Sequence, residues 1–112
     1  MKRSIKSEQR EVRQLHFIAN AAGTELSGID ALKVSMVDTG TGIKTITLDK
    51  PFGAADYTIQ VTVGTADCIV DSVVITNAST FAITTVDATD GTTDKDAICH
   101  ISVIGSDIAA RY

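Results

Sequence analysis

The segment Tyr57-Thr58-Ile59-Gln60-Val61-Thr62-Val63 constrains this chain more than any other, because every odd residue is apolar and every even one polar. In extended backbone, successive side chains point to opposite faces, so this alternation builds a strand with one buried face and one wet face. The same residues wound into a helix would scatter their apolar groups around the axis.

The remaining sequence follows suit. Thr, Val and Ile supply 38 of the 112 residues, and branching at Cβ favours pleated backbone over helix. Turn residues punctuate the chain at intervals of about ten, the spacing of a sandwich or barrel. Leu32 to Met36 alternates and stops at Asp38-Thr39-Gly40-Thr41-Gly42, and Ile46 and Leu48 alternate with Thr45, Thr47 and Asp49 before Pro51. Cys68 to Thr76 alternates less cleanly, as a bulged or doubly covered strand does. Asn77-Ala78-Ser79 reads as a turn, Phe81 and Ile83 as inward residues, Asp87 to Asp96 as the longest loop, and Ala97 to Ile104 as the last strand. Leu15-His16-Phe17-Ile18 offers a further strand. The length suits one domain. The expectation is an all-β, antiparallel, two-sheet β-sandwich, jelly-roll-like, over residues 21–112, preceded by an extended basic arm over residues 1–20.

Charge is distributed unevenly. Residues 1–13 carry five bases and two acids, a net +3, whereas the rest carries five bases and twelve acids, a net −7. An acidic body repels a phosphate backbone, so nucleic acid is not an expected partner. No apolar run approaches the roughly 18 residues that cross a bilayer, and the basic start has no apolar stretch behind it, so neither a membrane nor a secretory signal is expected. The arm offers Arg3, Arg10 and Arg13 for steering and Val12, Leu15, Phe17 and Ile18 as apolar anchors on a partner. With Ser4 or Ser7 as cap, Ile5, Val12 and Leu15 would make only a thin helical stripe.

From Lys44 to Gly105 the succession of segments resembles the small β-sandwich modules of tailed-phage virion proteins, found in fibres and in capsid decoration (cement) proteins. The features that carry this are the strand leading into Lys50-Pro51-Phe52, the alternating strand Tyr57 to Val63, and the strand ending near Val74-Ile75. Asn77 to Phe81, the Asp/Gly/Thr loop and the closing Ser102-Val103-Ile104-Gly105 complete it. The resemblance implies a structural protein of the virion, working as a homotrimer against the major capsid protein or another virion protein, with its arm along the shell. Fibre modules instead contact host glycans through aromatic platforms or clustered His and Arg; here aromatics are 4% with no Trp.

Chemical motifs are sparse. Asp38-Thr39-Gly40, with Val103-Ile104-Gly105 near the end, resembles the catalytic turn of retropepsin-like aspartic proteases, in which two chains each contribute a carboxylate to a shared proton. Thr41 stands where that family has a small Ala, and Asp-Thr-Gly is also a good turn by itself. The loop Asp87 to Asp96 gathers carboxylates that suit calcium, but Val86 stands five before Gly91 and no Glu closes the loop, against the EF-hand spacing. Cys68 and Cys99, without a Cys-x-x-Cys, read as small buried residues. His16 and His100 are far apart in sequence, Asn77-Ala78-Ser79 is a glycosylation triplet, and Gly23 to Gly28 lacks the Lys-Ser/Thr of a phosphate loop. The expected chain is non-enzymatic, with no cofactor and no metal.

Overall fold

The computed structural model describes residues 12–106. Among the described residues, eight strands form: β1 (Val12–Ala19), β2 (Leu26–Ser27), β3 (Val34–Gly40), β4 (Ile43–Leu48), β5 (Thr58–Val63), β6 (Cys68–Ile75), β7 (Thr80–Asp87) and β8 (Cys99–Ser106). One sheet has the order β2-β1-β8-β5 and the other β3-β4-β7-β6, with antiparallel pairing throughout. The chain changes sheet after β2, β4, β5 and β7, giving the jelly-roll-like sandwich that the alternation predicts.

Register explains the core. Leu15, Phe17 and Ala19 of β1 lie opposite Val103, Ile101 and Cys99 of β8, all pointing inward. Across from them, Ile46 of β4 pairs with Phe81 of β7, and Leu48 of β4 with Val34 of β3. These side chains join one continuous buried cluster between the sheets. Each large apolar side chain removed from water contributes about 1.5–3 kcal/mol, so the cluster dominates the stability.

Three expectations change. First, β1 puts residues 12–19, expected in the arm, inside the sandwich; the rest of the expected arm, residues 1–11, lies outside the described residues. Second, Val12 and Leu15 sit in a strand, on opposite faces, so they do not form a helical stripe. Third, Leu32 does not begin a strand: Ala31–Lys33 is a single 3-10 turn, closed by the Lys33 N–H on the Asp30 carbonyl at 2.9 Å. Leu32 is 95% exposed there, and strand pairing starts at Val34.

The turns follow their sequences. The irregular stretch of β6 is a bulge at Asp71, between Val70 and Ser72. Asn77 Oδ1 accepts the N–H groups of Ser79 and Thr80, each at 2.9 Å, and so folds the β6–β7 turn. One end of the sandwich is plugged by stacked Phe52 and Tyr57, with ring centroids 4.9 Å apart. They lie over Gly105, where a Cβ would come within 2.7 Å of both side chains. The Tyr57 hydroxyl donates to the Asn77 and Thr80 carbonyls, and burial raises its phenol pKa.

At the opposite end, Gly42 closes the β3–β4 hairpin at φ +75°, with its N–H on Asp96 Oδ1 at 2.6 Å. A Cβ there would approach Lys95 N to 2.8 Å and the Thr85 carbonyl more closely still. Gly42→Ala is therefore expected to cost about 2–4 kcal/mol, from left-handed strain together with a backbone clash. A shift of the urea midpoint at unchanged slope measures it; a loss below about 0.5 kcal/mol would contradict this packing.

Candidate functional site

The widest surfaces of the molecule are the outward faces of the two sheets, and register fixes what they display. On the β3-β4-β7-β6 sheet, Ser35, Thr47 and Thr80 form one cross-strand row, and Val37, Thr45, Ala82 and Val74 a second. Ile43, Thr84 and Ser72 make a third. None of these side chains is ionised. Val37 and Val74 are 63% and 57% exposed, so the apolar part of the face is open to solvent. Asp71 lies at the bulge of the edge strand β6, outside these rows.

The outward face of the other sheet is also uncharged apart from histidine, and it is hollowed. A depression of about 390 Å³ lies between β1, β8 and β5, walled by Ile18 and Ile29 and floored by His16, His100, Gln60, Thr62 and Ser102. Sequence reading missed this because His16 and His100 meet only through register: His16 faces Ser102, and Ile18 faces His100. The imidazole of His100 also packs over Gly64, beyond the end of β5.

Ser102, His16 and Asp30 have the residue types of a nucleophilic triad, but their hydrogen bonds run elsewhere. Asp30 Oδ2 accepts the backbone N–H of His16 at 2.7 Å, and Asp30 Oδ1 pairs with Lys33 Nζ at 3.2 Å. The His16 N–H is the main reason that the Asp30 carboxyl lies below its usual range, with Lys33 adding to it against the opposing effect of burial. Asp30 thus anchors the loop to β1 rather than orienting the His16 ring, and a triad needs that orientation.

The residues expected to touch a partner divide sharply. Leu15 and Phe17 are core residues, 0% and 2% exposed, so they cannot anchor a partner. The reason is parity: with Arg13 and Ala19 they occupy the inward positions of β1, while Val12 and Ile18 point outward. Val12 is 68% exposed, and Ile18 walls the depression. Arg13 is engaged within the fold, donating to the Lys50 and Pro51 carbonyls at 2.8 and 3.0 Å, with its guanidinium 4.2 Å from the Phe52 ring centroid. Arg3 and Arg10 lie outside the described residues.

Asp38-Thr39-Gly40 forms the bulged end of the edge strand β3. Asp38 Oδ1 accepts the Gly40 N–H at 3.2 Å, and the Thr39 and Thr45 hydroxyls share a hydrogen bond of 2.7 Å. In the acidic loop, Asp87 Oδ1 accepts the Thr89 N–H and Asp96 Oδ1 the Gly42 N–H. The Thr93 hydroxyl, then the N–H groups of Thr93 and Thr92, hold the Asp90 carboxyl down at about 2. These carboxylates cap backbone instead of converging, and the described residues contain no group of three or more His, Cys, Asp or Glu placed to hold a metal.

One polar feature is internal. Lys44 continues the inward parity of Ile46 and Leu48, is 2% exposed, and donates through Nζ to the Ala97 carbonyl at 2.9 Å. The Cys99 thiol shares that carbonyl at 3.6 Å, and the Cys68 thiol donates to the neighbouring Asp96 carbonyl at 3.8 Å. Both cysteines are buried and free. Burial pushes the Cys99 thiol pKa up, with the Lys44 charge acting in the opposite sense.

No protein-family model matches the chain, and neither a curated protein nor a solved structure gives a match.

An ammonium buried against one carbonyl, which forms no ion pair among the described residues although Asp38 is its cross-strand neighbour on β3, is a net cost to folding. Lys44→Met keeps the length of the stem and is expected to raise stability by about 1–3 kcal/mol. Lys44→Ala leaves a cavity and is expected to lower it by about 2–4 kcal/mol. Equal losses in both variants, measured by urea denaturation, would show that the ammonium itself stabilises the fold.

Proposed function

We propose that this chain is a non-enzymatic structural protein of a phage virion, a capsid decoration or cement protein that binds the head shell as a homotrimer. The observation that carries the reading is the uncharged outer face of the β3-β4-β7-β6 sheet. Solvated sheet faces ordinarily carry charge, and its depletion is the compositional mark of an interface core. The order of segments from Lys44 to Gly105, which resembles virion sandwich modules, supplies the biological setting. The partner is then the major capsid protein or another virion protein, and the place of action is the virion surface.

Magnitudes favour several copies acting together. Four strands about 4.8 Å apart and about six residues long present a projected face of roughly 400 Å². A stable interface buries about 800 Å² on each side. One face falls short, whereas three linked faces bind in concert and gain effective concentration without new contacts.

The hollow on the other sheet favours a second reading, a fibre module that contacts host glycans. Its imidazole, amide and hydroxyl groups suit a neutral, hydrogen-bonding ligand, and Ile18 and Ile29 offer walls for its C–H faces.

Co-sedimentation with empty heads of the phage that carries the protein distinguishes the two. The cement reading expects saturable binding in multiples of three copies. Failure to bind heads, with retention on a glycan array that is lost in His100→Ala, would replace it with the fibre reading.

A further inference from the structure

A sandwich has four sheet edges, and three of these are blunted. The β2 edge is two residues long, β3 is interrupted by a bulge between Asp38 and Gly40, and β6 by the bulge at Asp71. Bulges, charges and short edge strands are the usual devices that stop an edge from pairing with another chain. The β5 edge has none of them. Thr58–Val63 pairs with β8 in unbroken register and contains no charge, proline or glycine.

The direction of its free hydrogen-bonding groups can be assigned. The Gly64 N–H donates to the Ile98 carbonyl at 2.7 Å on the β8 side. Antiparallel ladders alternate, so Thr58, Gln60 and Thr62 also bond to β8, while Ile59, Val61 and Val63 direct their N–H and C=O groups to the open side. Their side chains are only half-buried, although those of Ile59 and Val61 pack against the core. A fifth strand would cover both the backbone groups and that apolar surface.

Charge selects the occupant. Asp56 and Asp67 flank β5 at its two ends, Asp71 bulges from β6, and all three carboxylates are exposed. None has a cationic partner among the described residues; the one ion pair there is Lys33–Asp30. A second β5 laid antiparallel would set Asp56 beside Asp67 at both ends, which repels. A basic strand is attracted at both ends. Residues 1–11, the N-terminal of the two segments outside the described residues, contain Lys2, Arg3, Lys6 and Arg10 against Glu8 and Glu11, whereas the other, residues 107–112, contains one base and one acid. Extended, they reach about 36 Å, enough to run the length of β5, about 20 Å.

We propose that the open edge of β5 receives the basic N-terminal segment, residues 2–10, of a second copy of this chain as an added strand. The segment leaves β1 at Val12, opposite Ser106, at the end of the sheet where Thr58 begins β5. To cover its own β5 it would have to reverse and cross β8, whereas a neighbouring copy is reached without reversal. An arm-to-edge contact joins two different surfaces, so it builds a ring, three copies included, where the rotation between copies closes, and an open chain of copies where it does not. The inference rests on the proposed function only for the self-association it names; shell binding is tested separately by co-sedimentation, so the failure of one is distinguishable from the failure of the other.

Light scattering and amide hydrogen exchange on the isolated full chain test it. An oligomer is expected in which the amides of Ile59, Val61 and Val63 are as protected as that of Thr62. A chain lacking residues 2–11, and separately the full chain with Asp56→Lys and Asp67→Asn, should dissociate. In both, exchange at those three amides should rise at least about 100-fold while Thr62 is unchanged, which reports an intact sandwich. Adding a peptide of residues 1–11 to the truncated chain should restore protection. A monomeric full chain overturns the proposal, whether those amides are open or are covered by its own segment. So does an oligomer in which they exchange freely.

Discussion

The structure depends on period-two segregation, in which alternate side chains of each strand are committed to the space between two sheets. Leu15, Phe17, Ile46, Leu48, Phe81, Ile83, Ile101 and Val103 fill that space almost without exposure. Because a one-residue slip would turn each of these outward, the core fixes the register of every central pair. Register in turn decides which groups meet on the outside. The uncharged rows of one sheet and the two histidines in the hollow of the other are consequences of the same core packing.

The two ends of the sandwich show how the fold accommodates cations. At one end the Arg13 guanidinium lies over Phe52 and binds two carbonyls, using its planar fork on groups that a turn leaves free. At the other, Lys44 enters the core beside Cys99 and meets one carbonyl. The first arrangement ties β1 to the segment after β4. The second adds no comparable tie, and nothing in the structure explains why a lysine occupies that position.

Much of the fold was legible because it is written locally. The alternation of β5, the bulge in β6, the Asn77 turn and the polar loop before β8 each rest on residues close in sequence. What was not legible depends on partners distant in sequence. Leu15 and Phe17 look like anchors of a basic arm until β8 pairs with β1 and turns them inward. Leu32 continues an apolar alternation, but Asp30 and Lys33 close a 3-10 turn around it. Lys44 has the parity of a core position, so its place beside Ile46 and Leu48 was open to reading from the alternation alone. The hollow could not be read from spacing, since 84 positions separate its two histidines.

The proposed function follows from where charge is missing: ionised groups lie in loops, at strand ends, at the bulge of the edge strand β6 or inside, and the broad faces are left neutral. The most direct test places one charge of either sign at the centre of the β3-β4-β7-β6 face, as Thr45→Glu and Thr45→Lys, and compares shell binding with that of the loop variants Thr92→Glu and Thr92→Lys. Desolvating an unpaired charge in an interface core is costly whatever its sign. The account predicts that both Thr45 variants lose binding at least about tenfold while both Thr92 variants retain it. Unchanged binding in the Thr45 variants would contradict it.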